Sequence, residues 1–94
     1  MIPNKISIGG IVYDVKFEDK LFCDTTKING HIKYSTTEIL VENNLSEQIK
    51  RVTVWHEIIH GILTQAAIEH EEKLVEVLAY GLTGVIQDNP ELLQ

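Results

Sequence analysis

The hydrophobic period of this chain changes once, near Asn43-Asn44, and that change limits the folds open to it. Upstream, apolar and polar residues alternate. In "IVYDVKFE", Ile11, Tyr13, Val15 and Phe17 fall on one face and Val12, Asp14, Lys16 and Glu18 on the other. Downstream, Ile49, Val52, Ile59, Ile62, Leu63 and Ala66 recur at helical spacing. A second helical stretch carries Leu74, Val75, Leu78, Leu82, Val85 and Ile86 and stops before Asn89-Pro90. Strands first and helices afterwards, in 94 residues with no repeat, linker or low-complexity segment, predict a single α+β domain. Its expected form is a set of antiparallel N-terminal strands packed on two C-terminal helices.

Turn chemistry supplies the boundaries. Gly9-Gly10 reads as a tight turn between two strands, and "CDTTKING" as a loop closing at Asn29-Gly30. "HIKYS" and "EILVE" flank Ser35-Thr36-Thr37 as a hairpin. Asn44, with Glu47 three residues later, is the expected cap of the first helix. Between the helices, "TQAAIEHEEK" has neither Gly nor Pro, so local propensity alone would allow one helix over residues 45–88. Such a helix would exceed the usual length and leave the sheet poorly covered, which places a reversal near residues 67–70.

Composition narrows the function classes. Hydrophobic content of 44% and charged content of 23% are ordinary for a soluble domain. The single cysteine, Cys23, excludes an internal disulfide framework and suits a reducing cytoplasm; a bound metal is then the expected extra stabiliser of so small a fold. Met1-Ile2-Pro3-Asn4 does not begin a signal peptide, and no apolar run approaches the roughly 20 residues of a membrane span. A net charge of −6, with only Lys50-Arg51 adjacent among eight scattered basic residues, argues against nucleic acid as a partner.

Within the first helical stretch, "VTVWHEIIHGILTQ" carries HExxH as His56, Glu57 and His60. Residues four apart on a helix differ by about 40° in direction, so both imidazoles face one point and can bind one zinc ion at about 2 Å. Glu57 sits beside that ion, where it can take a proton from zinc-bound water and pass it to a leaving amine. A third protein ligand is needed. The metzincin spacing is absent, because Leu63 and Ala66 stand where its glycine and histidine belong. His70, Glu71, Glu72 and Glu76 remain as candidates. A helix returning alongside the first could aim Glu72 at the metal. Glu76, one turn on, would then accept the spare N–H of a ligand histidine or replace Glu72 as ligand. Without the reversal, Glu72 would lie about 18 Å along the axis from His60.

"WHEIIHGIL" followed by "EEKLVEVLAYGL" resembles the gluzincin branch of the zincin metallopeptidases, and more closely the small phage and prophage proteins related to the ImmA/IrrE family. The resemblance covers residues 45–92 and extends loosely to "GHIKYSTTEILVE". It implies a small zincin-like domain with His56, His60 and Glu72 as zinc ligands, Glu57 as catalytic base and Glu76 holding a ligand histidine. It further implies a host-cytoplasmic protein that hydrolyses a peptide bond, with a phage regulatory protein as substrate. In that family an extended peptide pairs with an edge strand above the active-site helix; Glu38, Ile39, Leu40 and Val41 are the expected edge. Tyr34, Tyr80 and His31 are candidate donors to the oxyanion. The alternative is a phage accessory or interaction module that holds zinc for stability and catalyses nothing. Trp55 reads as core or a wall of the site, Gly81 and Gly84 as permitting close helix packing, His70 as an exposed helix-start residue, and Cys23 as uninvolved.

Overall fold

Strand β1 (Lys5–Ile8) turns through Gly9 and Gly10 into β2 (Ile11–Glu18), with Ile8 opposite Ile11. Both glycines have positive φ (56° and 88°), the requirement of the two-residue turn whose twist matches its strands. The computed structural model describes residues 2–93. After β2 the chain makes a small two-stranded ribbon, β3 (Phe22–Cys23) and β4 (Thr26–Lys27), where the sequence suggested only a loop. Then β5 (Gly30–Lys33) and β6 (Glu38–Glu42) form the expected antiparallel hairpin.

The main sheet has the order β1-β2-β6-β5, and β6 runs parallel to β2, so the sheet is mixed rather than antiparallel throughout. This corrects the placement of Glu38, Ile39, Leu40 and Val41. They are not an edge: β6 is paired on one side with β2 and on the other with β5. The signal was in the residues themselves. Three consecutive apolar residues are the mark of a strand covered on both faces, and Ile39, Leu40 and Val41 are all buried. The edges are β1 and β5.

Helix α1 (Glu47–Gln65) lies across the sheet, touching β1, β5 and β6. Its cap is Ser46, whose hydroxyl accepts from the Ile49 N–H at 3.2 Å. Asn44 is drawn elsewhere, donating to the buried carboxylate of Glu42 from its backbone (3.1 Å) and its side chain (3.2 Å). Helix α2 (Glu72–Asp88) packs on α1 and, among the described residues, touches no strand. The expectation of two helices on the sheet therefore gives way to three layers: sheet, α1, α2. Ile8, Tyr13, Val15, Ile32, Ile39, Val41 and Val54 form the core beneath α1. Ile59, Val75 and Ala79, with Val52, Trp55 and Leu63 against them, form a smaller one above it. Gly61 brings α1 close to the sheet, since a Cβ there would lie 2.9 Å from Ile8 and 3.3 Å from Ile32.

The reversal between the helices falls where expected, at residues 66–71, but by an unexpected device. Ala67 takes the left-handed conformation (φ 56°) that glycine usually fills after a helix. Glu71 then caps α2, its carboxylate accepting from the N–H groups of Lys73 and Leu74, both at 3.1 Å.

Two expectations about stability follow. Ala67→Gly removes the steric cost of a left-handed Cβ and is expected to stabilise the fold by about 1 kcal/mol in urea denaturation. Glu42, 2% exposed, also accepts from the Leu21 N–H at 2.7 Å, and these donors hold its carboxyl below its ordinary pKa of 4.5. The stabilisation is complete above that ordinary value and is lost as pH falls through the lower folded one. Thermal melts from neutral to acid pH are expected to show a lower Tm at neutral pH and a shallower acid decline for Glu42→Gln; an unchanged decline would remove Glu42 from the account.

Candidate metal centre

One turn of α1 separates His56 from His60, and their Nε2 atoms come within 3.2 Å of each other. The reversal returns the chain so that Glu72, first residue of α2, meets this pair. Its Oε1 lies 2.6 Å from His60 Nε2 and its Oε2 3.7 Å from His56 Nε2. One ligand atom from each of the three residues lies within 4.8 Å of the others. Donors about 2.1 Å from a tetrahedral zinc stand about 3.4 Å apart, so this triangle fits the ion with small adjustments. Two imidazoles and one carboxylate form a donor set of the catalytic kind, three protein ligands where a structural site has four. Burial lowers the pKa of His60, which favours the neutral imidazole a metal requires.

Glu57 lies beside this triangle and packs against β5. It is 6% exposed, and a Cβ placed on Gly30 would lie 3.2 Å from its Oε2, so the absence of a side chain at Gly30 makes room for the carboxylate. Burial, then the negative charge of Glu72, raises its pKa to about 7 against a backbone hydrogen bond from Ile32. A cation held by Glu72 would offset the second of these causes. Beside Glu57 opens a cavity of about 200 Å³, lined by Asn29, Gly30, Ile49, Val52, Thr53, His56, Glu76 and Tyr80.

The structure reassigns two of the expected supporting roles. Glu76 lines the cavity and makes none of the hydrogen bonds to a histidine that its expected role required. The other nitrogen of His60 meets His70 instead, Nδ1 to Nδ1 at 2.7 Å, with the two rings stacked. His70 is half-buried, not an exposed helix-start residue. Its Nε2 lies 3.2 Å from the Thr64 hydroxyl, which in turn donates to the Tyr34 hydroxyl at 2.9 Å. Thr64 was missed in the sequence, although its spacing of four from His60 puts it on the same helix face. Of the candidate oxyanion donors, Tyr80 lines the cavity, Tyr34 is engaged by Thr64, and His31 lies on β5 opposite Leu40. Within β6, Glu38 is bound by the Lys16 ammonium and the Thr36 hydroxyl, and Ile39 and Val41 belong to the core.

Compared with known proteins, the chain matches no family model, and no curated protein or solved structure is significantly similar to it.

The geometry separates the two candidate acids. Calorimetric zinc titration is expected to give one equivalent. Glu72→Ala should weaken binding by more than about a hundredfold, His70→Ala by about tenfold, and Glu76→Ala by less than about threefold. Equal losses for Glu72 and Glu76 would refute the assignment.

Proposed function

We propose that this protein is a minimal zinc-dependent peptidase of gluzincin type, with His56, His60 and Glu72 holding the metal and Glu57 as the proton-carrying base. The observation that carries the reading is the arrival of a carboxylate from a second helix at the paired histidines of HExxH, with a buried carboxylate alongside. Zinc, when bound, supplies Lewis-acid polarisation of a carbonyl and acidifies water. The chain's own groups do the rest. Glu57 holds or releases a proton at the inner side of the site, shielded from solvent by β5 and the packed α1. His70 fixes the His60 ring from behind, with Thr64 and Tyr34 fixing His70. The cavity beside Glu57 accepts one side chain of the substrate, with Ile49, Val52 and Tyr80 as its apolar walls. An extended peptide would add to β5, the sheet edge next to Glu57, in place of the interior β6. A phage regulatory protein as substrate rests on the likeness of residues 45–92 to ImmA/IrrE-related proteins.

One observation favours a second reading, a metal that ties the fold together without catalysis. Only Val75 and Ala79 of α2 are buried, so a carboxylate–metal–histidine link would be a large share of what holds α2 to α1. Comparison of Glu57→Gln with His60→Ala decides between the two. If the protein is a peptidase, Glu57→Gln retains zinc and thermal stability while cleavage of unstructured peptides falls by about 10²–10⁴. His60→Ala loses zinc and activity together. Zinc that raises Tm in a wild-type protein inactive on a broad peptide library would establish the second reading.

A further inference from the structure

Helix α2 is apolar on two sides, about 120° apart around its axis. One side, centred on Val75 and Ala79, packs on α1. The other carries Leu74, Val77, Leu78 and Val85, which are 54%, 59%, 43% and 48% exposed. Between them lie Gly81 and Gly84, and a Cβ at either glycine would meet nothing within 4 Å. The close packing these glycines suggest is therefore not made within the chain, while each lowers helix propensity relative to alanine. A helix packed on one apolar side that leaves a second apolar side exposed has a surface for a partner to cover.

We propose that this face is the interface of a symmetric homodimer, with α2 crossing its copy antiparallel at Gly81. Three features point to a second copy as the occupant. The first is area. Leu74, Val77, Leu78, Leu82 and Val85 together expose roughly 450 Å² along one helix, more than half of the roughly 800 Å² each partner contributes to a standard interface, and the exposed Leu92 and Leu93 follow directly after the helix. The second is shape. With Gly81 on the twofold axis, Leu78 of one copy falls opposite Gly84 of the other, so a projection meets a gap twice, as an isologous contact requires. The third is charge. Lys73 at the start of the face and Asp88 at its end are of opposite sign, and antiparallel self-pairing brings each near the other's counterpart. At 100° per residue, Glu72, Glu76 and Tyr80 lie on a different side of the helix, so the dimer leaves the metal centre and its cavity open.

Sedimentation equilibrium of the full chain, from about 1 μM to about 1 mM, tests this. The wild type is expected to reach twice the chain mass. Leu78→Glu is expected to remain monomeric. Gly81→Leu is the sharper variant. The monomer has room for the new side chain and gains a better helix former, so helical circular dichroism is retained while self-association weakens at least tenfold. A wild type that stays monomeric throughout overturns the proposal, including one whose α2 face takes up detergent or a different protein. A dimer equally strong in both variants overturns it as well.

Discussion

One helix serves two cores. From Ile49 to Gly61 no residue of α1 is exposed, because the sheet lies under one side and α2 over another. A helix in that position must be apolar at nearly every turn, yet it carries His56, Glu57 and His60 in its middle. Those polar groups are tolerated because they fall on the seam between the layers. The imidazoles reach out toward the end of α2, and Glu57 turns inward toward β5. The layered arrangement desolvates Glu57 and, in part, His60, while Glu72 at the start of α2 stays largely in solvent.

The two buried glutamates show how local donors set chemistry. Glu42 and Glu57 are both nearly inaccessible, 2% and 6% exposed, and their carboxyls shift in opposite directions. Glu42 accepts from the N–H groups of Leu21 and Asn44 and stays ionised, joining the β3–β4 excursion to the approach to α1. Glu57 is pushed up to about 7 by burial first and then by the negative charge of Glu72, with Ile32 as its one opposing backbone donor. Burial raises both carboxyls; the several donors to Glu42 outweigh it, and the single donor to Glu57 does not.

Much of this was legible in the sequence, for reasons that are local. The strand and helix periods, the Gly9-Gly10 turn, the hairpin around Thr36 and the reversal near Ala67 all depend on residues close in the chain, and each was found where expected. What failed depended on partners far away. The parallel pairing of β6 with β2 needs a crossover through residues 19–37, which no local pattern encodes, although the unbroken Ile39-Leu40-Val41 run should have argued against an edge. The cap passed from Asn44 to Ser46 because a buried carboxylate competed for Asn44. Helices were placed on the sheet because amphipathic patterns show that a face is buried, not what buries it. In the site, the histidine pair with Glu57 followed from spacing, and Glu72 from the returning helix. His70 behind His60 depended on how tightly the Ala67 turn closes, a matter of one backbone angle.

Attachment through a single layer also sets the order in which the molecule comes apart. The sheet and α1 share the larger core, while α2 contributes two buried side chains and no strand contact. Local opening therefore begins at the outermost layer, and the amides of α2 exchange with solvent ahead of those of β2 and β6. Anything that clasps α2, at Glu72 or on its outer face, raises the free energy of that first opening and so lengthens the life of the whole fold.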